Sequence, residues 1–410
     1  MKSKAAGGIY SVMPNDVFSL KNDLRIEFEG QSGAFIVSVS TLDGPATLSG
    51  SSTVSWQDLL CETISVNINR GIPIQLGYMS DLEPGTAEVQ LTTIGYDPLA
   101  NNFLHVGTPA RISVRRQPDT APTTWTTLFT GQVKAFDVSY NAQGLNLITL
   151  SLVDDLEAFL NQILPTYIIS GAPKYWYDLV SNLVTNYYTP GSSNLSITGT
   201  SLFPNYNITS PVSIGDLMNE LMDGELGFAW VGRQYGTLNT YSREDIRSLQ
   251  GTGYIYQFST VHDDLDPDHV CITGLEIGAR NDEIANEILF TLASNTALTE
   301  LNSNPDAIDL YGSVKLEATL NLYDQTQLAQ VAQFIVLNNN LRRVKSISTN
   351  TIKRDGTLAK FISNDLLMDK VGVYYNLNGV LIDEEYIVTR VSDYIDGDTW
   401  ETTLELWRGY

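Results

Sequence analysis

The chain has 410 residues, 43% of them hydrophobic, and its 24 Lys and Arg against 47 Asp and Glu leave a net charge of −23. That length holds two or more domains with real cores. So large an acidic excess excludes gripping DNA or an anionic membrane by electrostatics, which takes clustered Lys and Arg.

Lys2 and Lys4 are followed by Ala-Ala-Gly-Gly and no apolar segment, so no signal peptide is expected. No run reaches the ~18–20 apolar residues that cross a bilayer. Cys61 and Cys271 form no CxxC pair, which argues against a disulfide framework or a zinc site. Both are expected to be small buried apolar residues. Residues 1–20 have no periodicity and read as an arm. Leu24–Glu29 and Phe35–Ser40 alternate as strands, and Thr47–Thr53 is a Gly/Ser-rich loop. Ile64, Val66 and Ile68 mark a further strand. From Thr86 to Thr92, Ala87, Val89 and Leu91 share one face and Glu88, Gln90 and Thr92 the other, the period of a half-buried strand. Pro84-Gly85 turns into it and Asp97-Pro98 marks the loop after it. Beyond Gly107-Thr108-Pro109, Ala110, Ile112 and Val114 point one way and Arg111, Ser113 and Arg115 the other. Strands follow at Thr127–Tyr140 and Leu145–Val153. So many short strands between turns predict a barrel or sandwich. Asp154-Asp155 opens a short helix with Leu156, Phe159 and Leu160 inward, its acids suited to the helix dipole.

The order of these pieces carries a resemblance. Arg70-Gly71, then GTAEVQL from Gly85, DPLANN from Asp97 and VGTPARI from Val106 resembles a pattern in tail proteins of long-tailed phages. Phe129-Thr130-Gly131 and the Asp154-Asp155 helix start continue it. It covers roughly residues 54–160; the likeness of the rest is architectural.

The texture then changes. Pro173 to Tyr188 reads as an amphipathic helix with Trp176, Leu179, Val180, Leu183, Val184 and Tyr187 on one face, and Pro173 in its first turn. Residues 189–210 are polar, a loop or weak strands. Ser213 to Asp216 reads as a capping box. It opens a helix with Ile214, Leu217, Met218 and Leu221 inward, stopped by Gly224 and Gly227. Phe228–Val231 and Thr237–Tyr241 form a hairpin, resembling one in the mixed α/β domain of phage tail hubs. Tyr254–Phe258 and Val270–Ile277 are strands, and Asn286 starts another. Asp324 caps a helix of about four turns with Leu328, Val331, Ala332 and Ile335 on one face and Arg342-Arg343 at its C-terminal end. Strands follow at Val344–Thr351, Lys370–Tyr375, Tyr386–Val391 and Thr399–Trp407, with turn signals at Asp355-Gly356, Asn378-Gly379 and Asp396-Gly397. The expected fold is mainly β with an α+β middle: an arm over 1–20, a first β-barrel-like domain over 21–165, a mixed α/β domain over 166–312 and a second β-barrel-like domain with one helix over 313–410. No sequence repeat links the two β units; pairing them as in a hub, where three subunits give a pseudo-sixfold ring, is what the resemblance implies.

Candidate chemistry is sparse. His262-Asp-Asp-Leu-Asp-Pro-Asp-His269 packs two imidazoles and four carboxylates into eight residues. It reads as an acidic surface loop turned by Pro267, with a divalent metal site as the alternative. His105 reads as structural. Asp393, Asp396 and Asp398 read as a hairpin turn, with a calcium loop as the alternative. Asp154, Asp155 and Glu157 read as helix-start acids, with a glycosidase pair as the alternative. Trp176, Trp230, Trp400 and Trp407 read as core or interface residues, with a carbohydrate platform as the alternative. No nucleophile-elbow, zincin, P-loop or dinucleotide motif is present. No catalytic, cofactor-binding or metal residue is therefore assigned, and no enzyme is expected.

The resemblance implies a structural tail-tip hub. Such a protein forms a ring, a homotrimer or alternatively a hexamer, that closes the tail tube and joins it to the host-recognition apparatus. Its partners would be copies of itself and distal tail, tape measure and fibre proteins, with DNA only in passage through an acidic lumen. It would be assembled in the host cytoplasm and reside at the virion tail tip. Since the sequence ends at Tyr410 just after a strand, the activity of the C-terminal cell-wall-cleaving or fibre domain of many hubs is expected to be absent or to reside in another protein. The alternatives are a hexameric distal tail protein and, in another class, a cell-wall hydrolase or a carbohydrate-binding module.

Overall fold

Apolar residues alternate along most strands of the first unit, and that alternation builds its sheet. A computed structural model describes residues 24–30, 55–58, 62–72, 82–94, 105–115, 125–140, 145–171, 173–189, 192–233, 236–249, 252–261, 268–278, 285–338, 343–353, 358–377, 379–397 and 399–407. The expectations for the arm, Phe35–Ser40, Cys61, Asp97-Pro98, Arg342 and Asp355-Gly356 lie outside these residues. The first unit comprises β1 (Leu24–Gly30), β2 (Ser55–Asp58), β3 (Glu62–Gly71), β4 (Thr86–Ile94), β5 (Pro109–Arg115), β6 (Trp125–Tyr140) and β7 (Leu145–Val153). They pair antiparallel in the order β2-β1-β5-β6-β7-β4-β3. Ala87, Val89 and Leu91 are buried as the period requires, together with Ala110, Ile112 and Val114 of β5 and Ile148, Leu150 and Leu152 of β7. Each such aliphatic side chain taken from water contributes about 1.5–3 kcal/mol, less for alanine. Ser113, expected to point outward, is buried as well. The pairing with β6 skips Leu128 at that point, and both Leu128 and Phe129 are buried. On the neighbouring pair, Glu27 of β1 faces Arg111 of β5 in register, accepts from its Nη2 at 3.0 Å and forms an ion pair with Arg25, whose Nε lies 3.2 Å away.

The helix Asp155–Leu160 follows β7, with Asp154 as its N-cap and Leu156 and Phe159 buried. The middle segment then makes two- and three-residue strands: β8 (Ile163–Leu164), β9 (Tyr167–Ile169), β10 (Lys174–Tyr175), β11 (Ser193–Asn194), β12 (Leu202–Phe203), β13 (Tyr206–Ile208) and β14 (Val212–Ser213). Between them runs the helix Trp176–Tyr187, with Trp176, Leu179, Val180, Leu183 and Val184 buried. Pro173 is not in its first turn, because Lys174 and Tyr175 are held in β10 by β12. Ser213 caps the helix Ile214–Glu225, accepting from Asp216 N–H. That helix passes through Gly224 and ends at Leu226, which adopts φ 56°. Gly224 is a packing residue: a Cβ there would lie 2.6 Å from the Phe203 ring. The hairpin β15 (Phe228–Val231) and β16 (Leu238–Tyr241) follows as expected, and then the helix Arg243–Ser248, opened by a full capping box between Ser242 and Asp245.

Strands β17 (Tyr256–Ser259) and β18 (His269–Gly278) begin a closed barrel. The chain leaves it to form β19 (Glu287–Leu292), β20 (Asn295–Ser303), the helix Pro305–Tyr311, β21 (Lys315–Leu320) and the helix Gln325–Asn338, which packs on β19 and β20. These strands make a separate sheet, β20-β19-β21, with β19 and β21 parallel. The chain then returns through β22 (Arg343–Asn350), a turn of 3₁₀-helix at Lys360–Ser363, β23 (Lys370–Leu377), β24 (Val380–Asp396) and β25 (Thr399–Trp407). The order β24-β23-β17-β18-β22-β25 closes because β25 also pairs with β24, giving six strands with no free edge. The barrel therefore draws two strands from before residue 313, and the expected 312/313 boundary runs through the β19–β21 unit. Arg343, expected at a helix end, is the first residue of β22. The fold is mainly β, and its two β units are one sheet: β3 pairs with the second half of β24, from Ser65↔Asp396 to Gly71↔Arg390.

Candidate functional site: the junction of the two β units

The stretch that carries the resemblance ends β3 at the point where the two units join. Gly71 has φ +99°, and a Cβ there would lie 2.2 Å from the Thr389 carbonyl oxygen of β24. Only glycine allows this approach. Beside it, the 3% exposed side chain of Arg70 donates from Nη1 to Asp365 Oδ1 at 2.9 Å. Asp365 Oδ2 accepts the Arg233 backbone N–H at 3.2 Å. Arg233, itself buried, donates from Nη1 to the Ile362 carbonyl at 2.6 Å, and its own carbonyl accepts from Thr130 Oγ1 at 2.8 Å. β3, β6, the β15–β16 turn and the 358–369 segment are thus tied at one point.

Two more residues of the motif lie against this cluster. The Asp154 carboxylate accepts Gly85 N–H at 2.8 Å and Leu156 N–H at 3.0 Å, while Asp154 N–H donates to the Gly85 carbonyl at 2.9 Å. Burial pushes the Asp154 carboxyl up to about 8 against the pull of those two N–H bonds, with Asp155 adding to the rise and Arg70 opposing it. Burial also pushes Asp365 up, but Arg70 and Arg233 with their hydrogen bonds outweigh it and hold that carboxyl below its ordinary value. Burial, with Arg70 adjacent, lowers Arg233 to about 10. The arrangement is a lock in which the half-buried Asp365 carboxylate meets two buried guanidinium groups, Arg70 at 2.9 Å and Arg233 at 3.8 Å, from segments far apart in sequence. Such pairs cost heavily when one member is removed.

The other residues singled out in the sequence do not converge on it. His262 to Pro267 lie outside the described residues; Asp268 accepts from Lys360 Nζ at 2.7 Å, and His269 begins β18. Among the described residues no group of three His, Cys, Asp or Glu is placed to hold a metal. Asp393 is not in a turn: it is 1% exposed and accepts from Trp400 Nε1 at 3.1 Å and Thr402 Oγ1 at 2.6 Å. Asp396 ends β24, and Asp398 lies outside the described residues. Glu157 pairs with Lys134 at 2.6 Å. His105 is exposed, with Nδ1 2.9 Å from Thr108 Oγ1. Trp176, Trp230, Trp400 and Trp407 are all buried, so none offers a face to a sugar. Cys271, expected to be buried, is exposed on β18, where its side chain falls on the outer face. Asp365 and Arg233 were not singled out; their only signal is a charged residue inside an otherwise apolar or turn segment.

The fold is similar to those of solved phage tail proteins. A tail protein of Neisseria meningitidis MC58 matches with a TM-score of 0.58 at 12% identity, over 94% of this chain and 96% of that one. The 43 kDa tail protein of prophage MuSo2 from Shewanella oneidensis matches with 0.57 at 9% identity, over 94% and 98%. A chain of the Francisella PdpA–VgrG complex in its half-lidded form matches with 0.53 at 10% identity, over 94% of this chain and 58% of its own length. No protein-family model matches the sequence, and no curated protein does.

Proposed function

We propose that the chain is a structural protein of a phage tail tip. It forms a ring that closes the tail tube and connects it to the host-recognition apparatus. The observation that carries this reading is the likeness of fold over 94% of the chain to two tail proteins, across nearly their whole lengths. The locked junction supports it, since a ring subunit must hold its β units in one relation to meet its neighbours on both sides. The net charge of −23 supports an acidic lumen past which DNA slides without sticking. Partners would be copies of itself in a trimer, together with distal tail, tape measure and fibre proteins, at the tail tip of virions assembled in the host cytoplasm. The role is architectural and not enzymatic. A second reading, a VgrG-like spike component of a secretion machine, is favoured by the match to the PdpA–VgrG complex.

Light scattering of the purified chain at several concentrations, followed by electron microscopy, tests the proposal. A trimer with a central opening supports it, and a hexamer moves the assignment to a distal tail protein. A monomer that neither self-assembles nor joins tail partners refutes a ring. Antibody labelling at the tip of phage particles separates the tail reading from the secretion reading. A cell-wall zymogram with clearing would overturn the purely structural role.

A further inference from the structure

A cavity of about 510 Å³ opens between the Arg243–Ser248 helix, the Gln325–Asn338 helix and the strands β10 and β12. The longer helix reads QTQLAQVAQFIVLN and carries no charged residue, although 17% of the chain is charged. The solvent-facing side of a surface helix ordinarily holds charge. Here Gln327, Gln330 and Gln333 follow at three-residue steps and line the cavity instead. Gln330 and Gln333 are exposed, and their carboxamides make no hydrogen bond among the described residues. Gln327 is anchored through Oε1, which accepts Leu202 N–H at 3.4 Å. On another wall Tyr175 is 54% exposed. It is paired with Leu202 in β10–β12 and is the N-cap of the helix Trp176–Tyr187, so the backbone that carries its ring is fixed. The charges around the cavity are already balanced. Arg247 pairs with Glu244 at 2.6 Å and stands 5.0 Å from the centre of the Phe334 ring. Behind the wall, Arg243 is buried and its charge is opposed by the buried Glu225.

We propose that this cavity binds a neutral saccharide. An ion would find no unmatched charge among these groups. A carboxamide offers donors and an acceptor together, as a hydroxyl does. The glutamines, the Thr200 hydroxyl and the Arg247–Glu244 pair can therefore answer sugar hydroxyls in either sense. The exposed Tyr175 ring gives the apolar face of a pyranose the flat surface that the buried tryptophans do not. The volume lies within the roughly 300–1,000 Å³ of small-ligand sites. Every group in the site belongs to one copy of the chain, so the site holds whether or not the chain forms a ring.

Saturation-transfer NMR of the full chain with maltose, lactose and chitobiose tests it, followed by calorimetric titration with the best of the three. Transfer to the ring protons of at least one sugar is expected, with an affinity that does not change with salt, because no net charge is engaged. Glucose 6-phosphate should bind no tighter than glucose. Tyr175→Ala should weaken the best sugar by roughly three- to tenfold, the worth of one aromatic contact, while Tyr175→Phe keeps the ring and most of the affinity. Gln330→Ala should cost a similar factor. Both side chains are exposed, so the melting temperature should not move and a loss of binding is not a loss of fold. No transfer to any of the three sugars, sugar binding untouched by both Tyr175→Ala and Gln330→Ala, or tighter binding of the neutral peptide N-acetyl-Gly-Gln-Gly-amide than of every sugar overturns the proposal.

Discussion

Replacing Asp365 by alanine should loosen the junction. Arg70 would lose its 2.9 Å partner while 3% exposed, and the Arg233 backbone N–H would lose its 3.2 Å acceptor. Breaking a fully buried pair costs about 3–5 kcal/mol. The Asp365 side chain is 29% exposed, so water reaches the gap and the expected loss falls to about 2–3 kcal/mol. Asp365→Asn keeps an acceptor for Arg70 without the charge and should lose about half of that. Urea unfolding measures the loss, and hydrogen exchange locates it; residues 358–369 and β15–β16 should exchange faster while β18 and β22 do not. The carboxyl is held below its ordinary value, so its contribution is present above about pH 4 and disappears as pH falls through the lower folded value. The wild type should therefore lose stability to acid more steeply than Asp365→Asn. A loss under about 0.5 kcal/mol for the alanine variant, with no change in exchange at 358–369, would refute the idea that this carboxylate locks the units.

Asp154 has the opposite sign. Its folded value is raised to about 8, so its contribution is complete below about pH 4 and is lost as pH rises toward 8. Melting temperatures of Asp154→Asn should be flatter than wild type over that window, and Asp154→Ala should cost about 2–4 kcal/mol in denaturant through the lost cap and Gly85 bond. Gly224→Ala should cost about 1–3 kcal/mol in thermal denaturation, since its Cβ meets the Phe203 ring at 2.6 Å. Asp393→Ala should cost about 2–4 kcal/mol and alter tryptophan emission, because Trp400 Nε1 and Thr402 Oγ1 lose their shared buried acceptor.

Strands with one wet face were legible because their residues alternate, as Ala87 to Leu91 and β16 show. Partnership between strands was not, since nothing local in Tyr256–Ser259 says that it lies between β18 and β23. β24 was read only over Tyr386–Val391. Its first half carries Asp383, Glu384 and Glu385, which interrupt the apolar pattern because none of the positions before Tyr386 is buried. The turn signals at Gly379 and Gly397 survive in the structure as positive φ. Pro173 and Gly224 misled for one reason: each obeys a local preference that a tertiary partner, β12 or Phe203, overrides. At the junction, Arg70, Gly71, Gly85 and Asp154 stood in the motif, but their meeting with Asp365 and Arg233 is set by pairing across nearly 300 positions, 295 between Arg70 and Asp365.

β24 also has a mechanical meaning. Its seventeen residues pair with β23, β25 and β3 in turn, so a pull between the two units runs along a ladder of seven residue pairs with β3 and does not pass through a linker. Pulled lengthwise, those pairs share the load and slip together or not at all, so the two units behave as one stiff beam. The β19–β21 sheet and its helix, inserted between β18 and β22, share no ladder with the barrel among the described residues and are tied instead to the middle segment, where Tyr323 N–H donates to the Leu202 carbonyl at 2.9 Å and Asn321 Nδ2 to Glu220 Oε1 at 2.5 Å.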